Sequence, residues 1–147
     1  MLGKDEVQGI LRRASLFSGC SEATLAELAK IAVESNPEKG QVLYEPGDKA
    51  VYVYVLVSGI VTFINKAGLE FLNVQRTMGR SMVFGWIALV PGYPNRIGTA
   101  QCLEESKILA LNGEAVLRIL DADPASGYAV MKGLAQLIAS TFVDKPT

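Results

Sequence analysis

The sequence contains no histidine and only two cysteines, Cys20 and Cys102, in 147 residues. Without imidazole the commonest general base is missing, as is every Ser-His or Cys-His nucleophile arrangement, so the chain reads as a binding protein and not as an enzyme. The cysteines form no pairing motif, and a zinc set would need carboxylates that the spacing does not supply, so no metal is expected. Long apolar runs are also missing. The stretch from Val51 to Val57 falls far short of the roughly 20 residues that span a bilayer. The opening Met1 to Arg13 is polar, without an apolar signal core. No membrane association is expected, and a cytoplasmic location is.

Nor is there an excess of charge of one sign. The formal net charge is -1, with Lys and Arg scattered along the chain, so the electrostatic footprint that a nucleic-acid backbone requires is absent. What is present is apolar: 50% of residues are hydrophobic and 20% charged. That composition belongs to a compact globular protein, and the length is that of one ordinary domain, here 1–147.

The first third reads as helical. Ser21 can cap a helix starting at Glu22, an acid well placed in a first turn, and Leu25, Leu28, Ala29 and Ala32 recur at helical spacing. Pro37 and Glu38-Lys39-Gly40 close this helical N-terminus, 1–38. A β-rich region follows over 39–112, broken at Gly47-Asp48, Ser58-Gly59, Ala67-Gly68 and Met78-Gly79. Such regular breaks suit a compact roll or barrel. Gly47, Gly59 and Gly68 read as turn formers, Tyr52 and Tyr54 as packed strand residues, and Cys102 as a small buried apolar group. Val51 to Val57 is β-branched, aromatic or leucine throughout, which predicts a central strand covered on both faces.

Two C-terminal helices are expected over 113–142, separated at Asp123-Pro124. The last, from Ala125 to Phe142, carries two apolar stripes. Val130, Leu134, Leu137, Ile138 and Thr141 form one; Tyr128, Met131, Ala135, Ile138 and Phe142 form the other, with the 3,4 spacing of a coiled-coil seam. One stripe suffices for packing on the roll. The second predicts either a homodimer through this helix or a helix buried on most of its circumference.

The sharpest local signal is Phe84-Gly85-Trp86-Ile87-Ala88-Leu89, a glycine opening a short apolar helix, followed by Arg96 beyond a Pro91-Gly92-Tyr93-Pro94 turn. A helix start bears unpaired N–H groups and partial positive charge, and an arginine facing it completes an anion site. Arginine suits phosphate because its fork donates parallel charge-assisted hydrogen bonds. By itself the motif is weak, since a lone arginine after a turn is usually a solvated surface residue.

These residues resemble the cyclic nucleotide-binding domain family, shared by the catabolite activator protein, protein kinase A regulatory subunits and gated channels. The resemblance runs through Leu16-Phe17, Gly40, Gly47-Asp48, Ser58-Gly59, Gly68-x-Glu70, Gly79, Phe84-Gly85, Ile87-Ala88-Leu89, Arg96 and Asp123-Pro124. It implies a mainly β fold with flanking helices: a double-stranded β-helix, or jelly-roll-like β-roll, with N-terminal helices, a short cassette helix and C-terminal helices. The implied phosphate-binding cassette is 79–98, where backbone N–H groups near Gly85, Ile87 and Ala88 join Arg96 around a cyclic phosphate. The family's ribose-binding glutamate falls on Trp86 and its Ser or Thr after the arginine on Ile97. Thr141 matches a threonine that reaches adenine in the catabolite activator protein.

The implied function is a small-molecule-sensing regulatory module. It would bind a cyclic nucleotide (cyclic AMP or cyclic GMP) or a related phosphate or anion and signal to an effector protein by C-terminal helix movement, with no cofactor required. The competing expectation is a ligand-free interaction scaffold whose pocket is plugged by Trp86 and Ile97. The C-terminal helix is followed closely by Thr147, so output is expected to pass through a partner or a dimer.

Overall fold

The computed structural model describes residues 1–65, 70–75 and 82–142. Helix α1, Lys4–Arg13, has acids in its first turn and arginines in its last, both favourable to the helix dipole. Helix α2, Glu22–Ile31, starts where Ser21 Oγ accepts the Thr24 N–H at 3.2 Å, and an Arg12–Glu22 ion pair ties the two helices. Eight strands follow in chain order: β1 Val33–Ser35, β2 Val42–Tyr44, β3 Tyr52–Ser58, β4 Ile60–Asn65, β5 Glu70–Gln75, β6 Met82–Phe84, β7 Gly98–Cys102 and β8 Lys107–Asn112. A 3-10 turn, Trp86–Leu89, interrupts them, and helices α3, Gly113–Asp121, and α4, Pro124–Phe142, close the domain.

The strands form two four-stranded antiparallel sheets, ordered β1-β8-β3-β6 and β2-β7-β4-β5. They face each other as the two halves of the expected β-roll. The N-terminal region is not wholly helical, however. Val33–Ser35 already pairs with β8, in the register Glu34 to Leu109; three residues are too few to show a strand period before the sheet exists.

Alternation along β3 explains why its sequence is apolar at nearly every position. Val53 and Val55 point into a core shared with the helices, alongside Leu25, Leu28, Leu109, Leu111, Val116 and Val130. Leu56 and Tyr54 point the other way, into the roll interior with Val61, Phe84, Ala100, Cys102 and Ile108. The first sheet is thus covered on both faces, one by helices and one by the second sheet. Gly59, at φ 104°, makes the β3–β4 turn where a Cβ would lie 2.1 Å from Ser106 Oγ, so both its backbone and the space around it demand glycine.

The two helical ends are joined by one carboxylate. Asp123 Oδ2 accepts hydrogen bonds from Ser21 Oγ (2.8 Å), Thr24 Oγ1 (2.7 Å) and Ser126 Oγ (2.6 Å), and Ser126 Oγ in turn accepts the Ser21 N–H at 2.9 Å. The starts of α2 and α4 therefore share one acceptor. These hydroxyls, Ser126 foremost, hold the Asp123 carboxyl well below the usual carboxylate range. A folded-state value below the unfolded one, about 3.9, gives stability that is present above that pH and is lost as acid protonates the group. Asp123→Asn is expected to lower the melting temperature at neutral pH and to flatten its fall below about pH 4. Thermal melts from neutral to acidic pH check this; parallel curves for the two proteins would refute it.

Candidate ligand site

Arg96 is 4% exposed. Its main chain is clamped by the Gly47-Asp48 turn: the Arg96 N–H donates to the Asp48 carbonyl at 2.7 Å, and its own carbonyl accepts the Gly47 N–H at 3.0 Å. Neighbouring residues extend the clamp, with Ala50 N–H on the Pro94 carbonyl at 2.8 Å and a bridge between Lys49 and Asn95. The side chain is thereby sent inward, into the roll.

There the guanidinium meets carbonyl groups and rings. Nη1 donates to the Gly85 carbonyl at 2.9 Å and Nη2 to the Tyr52 carbonyl, while the guanidinium carbon lies 4.1 Å above the Tyr44 ring centre. Tyr54, 5.7 Å away, flanks it. Nε is buried with no hydrogen-bond partner, and among the described residues no carboxylate lies within ion-pair distance of Arg96. An unmatched buried donor costs about 1–3 kcal/mol, more when it belongs to a charged group. Burial lowers the Arg96 pKa from its ordinary value, but guanidinium remains protonated at any ordinary pH. The same burial pushes the Tyr44 hydroxyl up to about 12, so the ring under the cation is neutral.

The expected partnership between Arg96 and cassette amides is therefore not the one this conformation shows. Gly85 is left-handed, at φ 70°, which turns its carbonyl toward Nη1. The Ala88 N–H is directed back to that carbonyl, at 3.3 Å. The cassette helix is a single 3-10 turn, Trp86–Leu89. Ile87 lies within it, half-buried.

The plug expected from Trp86 and Ile97 is corrected by the structure. Ile97 is 61% exposed. Trp86 is half-buried and packs on the helical core, not on the cluster inside the roll. The interior is occupied instead by Tyr44, Tyr54, Phe63 and Phe84. Tyr54 stacks on Phe84 at 5.1 Å and on Tyr44 at 6.2 Å, each with a 19° interplanar angle, and Phe63 meets Phe84 edge-on at 5.4 Å. Sequence reasoning treated Tyr54 as strand packing and did not select Tyr44; the signal available was that Tyr52, Tyr54 and Leu56 share one strand face. The side chain of Thr141 and the segment 76–81, which opens the expected cassette, lie outside the described residues, as does Gly68.

The cassette touches the C-terminal helices directly. Asn112 caps α3 by accepting the Ala115 N–H at 3.0 Å, and Gly113, the next residue, sits so close to the 3-10 turn that a Cβ would fall 2.3 Å from the Ala88 carbonyl oxygen. The cassette turn and the start of α3 are thus packed with no room for a side chain between them. A groove of 710 Å³ between α2 and α3, lined by Thr24, Glu27, Ile31, Arg118 and Asp123 among others, contains no cassette residue.

A roll of two antiparallel sheets, a single-turn cassette against β3 and a buried arginine beyond it make up the β-roll architecture that the sequence resembles. Residues 35–123 match the cyclic nucleotide-binding domain family, and the chain belongs to it. It is 24% identical over 132 residues to the CRP-like cAMP-activated global transcriptional regulator of Mycobacterium tuberculosis, covering 90% of this chain and 58% of that protein. The chain thus spans under two thirds of the curated relatives it matches. Among solved structures, the sensor domain of the transcriptional regulator DNR from Pseudomonas aeruginosa superposes with a TM-score of 0.74 at 25% identity, over 98% of this chain and 97% of that one. The regulatory domain of Toxoplasma gondii PKA with cAMP shares the fold, with a TM-score of 0.66, 24% identity, and coverage of 79% and 44%. These relationships support a regulatory sensing role. Among the described residues, no helix is long and apolar enough to cross a membrane, and no group of metal-ligating side chains is assembled.

Replacing Gly113 by Ala forces apart the cassette turn and α3, which overpacking data put at about 1–3 kcal/mol of lost stability. Denaturant unfolding measures it, and an unchanged midpoint would show that the two elements do not bear on each other.

Proposed function

We propose that the chain is a small-molecule-sensing module that takes an anion, a cyclic nucleotide or a related phosphate or carboxylate, on Arg96 and transmits its arrival through the cassette to the C-terminal helices. The observation that carries this reading is a guanidinium 4% exposed with an unmatched Nε. A charge taken out of water without an ion-pair partner in contact is costly, and an incoming anion relieves the cost. An anion drawing Nη1 from the Gly85 carbonyl frees the cassette turn. The Gly113–Ala88 contact then carries the shift into α3 and α4, a population shift between two packed arrangements.

The competing scaffold reading has its own support: Arg96 already donates to two carbonyls and stacks on Tyr44, so the roll interior is furnished without a ligand. Trp86, the only tryptophan, lies in the cassette and reports on it. Titration of its fluorescence with cyclic AMP, cyclic GMP and inorganic phosphate is expected to give a saturable change that Arg96→Ala removes. Silence toward every anion at millimolar concentration, with melting temperature unaltered, favours the scaffold.

Helix α4 supports a homodimer as the route of output. Val130 and Leu134 are buried against the helical core, whereas Tyr128 is 68% and Met131 37% exposed, with Ala135 exposed beside them. Ile138 serves the core face in part, and the Phe142 side chain lies outside the described residues. An apolar seam left in water on a helix is stabilised by a second copy of itself. The expected result is a dimer in solution converted to monomer by Met131→Glu, read by light scattering; a monomer before and after substitution overturns it.

A further inference from the structure

We infer that the domain is latched against its own effector: the Gly85 carbonyl takes the place of an anion's oxygen on Arg96, and the Tyr44 ring closes the guanidinium face beside it. The inference rests on the anion-sensing reading and states how that site is regulated.

The groups that would hold an anion are engaged by the protein itself. Arg96 Nη1 donates to the Gly85 carbonyl at 2.9 Å, and the Ala88 N–H is directed to the same oxygen at 3.3 Å. An arginine and a cassette amide thus converge on one acceptor, which is the arrangement expected around an anion, with a backbone oxygen at its centre. Nη2 is taken by the Tyr52 carbonyl. A carbonyl has no net charge, so an anion that adds coulombic attraction to the same hydrogen bonds can displace it. Nε, buried and unmatched, is the part of the fork that the latch leaves unserved.

Space is closed as well. The guanidinium carbon lies 4.1 Å from the Tyr44 ring centre, contact distance for two stacked planes. On the cassette side, a Cβ added at Gly85 would fall 2.9 Å from Tyr54 Cδ2, 3.1 Å from Arg96 Nη1 and 3.4 Å from the Tyr52 carbonyl oxygen. A methyl carbon does not fit there, and a phosphate fits still less. An anion therefore reaches Arg96 only after Tyr44 or the cassette has moved, and its apparent affinity is the intrinsic one reduced by the fraction of molecules in which that has happened. Tyr44 is the more movable cover. It ends β2, a three-residue edge strand paired with β7 alone among the described strands, in a register that shifts between Val42 and Tyr44. Tyr54, by contrast, lies on β3, held between β6 and β8, and stacks on Phe84. A short edge with one neighbour opens at lower cost than a strand paired on both sides.

Loosening a latch tightens binding, the opposite of what removing a ligand contact does. Tyr44→Leu keeps an apolar side chain and removes the ring face from the guanidinium. Titrated through Trp86 fluorescence with cyclic AMP, cyclic GMP and inorganic phosphate, it is expected to bind about threefold or more tighter than the native chain, as the loss of a cation–π contact implies. Ile108→Val, which removes one methyl group from the same interior away from Arg96, controls for general loosening of the roll and is expected to leave affinity unchanged. Tyr44→Met, which fills the space more pliably, replaces Tyr44→Leu should melting curves show that variant unfolded. A native chain that is silent while Tyr44→Leu responds, with the response lost in the double variant with Arg96→Ala, supports the latch outright. A native chain that binds a probe through Arg96 while Tyr44→Leu binds it equally or more weakly overturns the inference and leaves the anion-sensing reading standing. A matching gain in Ile108→Val overturns it in the same way. Silence of the native chain and the Tyr44 variant alike toward every probe at millimolar concentration removes both.

Discussion

One buried cation organises this domain. Arg96 reaches from the loop before β7 to the carbonyls of Tyr52 on β3 and Gly85 at the cassette, and lies on Tyr44 of β2. It therefore fastens both sheets and the cassette at one point. A hydrophobic side chain there would fill space but would leave two carbonyls facing apolar rings. The guanidinium satisfies them, and in return it carries a charge into a place where ring faces, dipoles and the Asp48 carboxylate, beyond ion-pair distance, offset it only in part. Cation–π contacts are worth about 0.5–2 kcal/mol each depending on desolvation, which offsets only part of the cost of burial.

Around that point the molecule is built as two cores separated by one sheet. The helical core takes Val53, Val55, Leu109 and Leu111; the roll interior takes Tyr54, Leu56, Phe84 and Ile108. Because residues alternate across the sheet, a shift of β3 or the cassette is felt on both sides. Gly113 has no side chain where it meets Ala88, and that lack is what lets α3 start against the 3-10 turn. Asp123 performs the corresponding service at the far end of α3, binding the starts of α2 and α4 to one carboxylate. Cassette, α3, α4 and the N-terminal helices are thus joined by one continuous set of contacts.

Membership in the cyclic nucleotide-binding domain family and the chemistry of this particular interior pull in different directions. The shared features are architectural: the roll, the glycine that opens the cassette, and the arginine beyond it. The resemblance implies a ribose-binding glutamate where Trp86 stands and a phosphate-binding Ser or Thr where Ile97 stands. The fold by itself does not fix the effector, since function lives in the site placed on the fold.

The sequence by itself determined the strand-rich middle and the helices at either end, because these depend on local signals: the Ser21 cap, the apolar run at Val51 to Val57, and glycines where turns need them. The exposed and buried stripes of α4 were legible for the same reason, since helical spacing is a local property. Tertiary structure alone decided where side chains separated in sequence point. Trp86 turns to the helical core because the 3-10 turn rotates it there, Ile97 faces water because Arg96 takes the inward position, and Tyr44 becomes a platform because β2 is laid beside β7. Direction across a closed roll is set by closure, and no neighbouring residue in the chain records it.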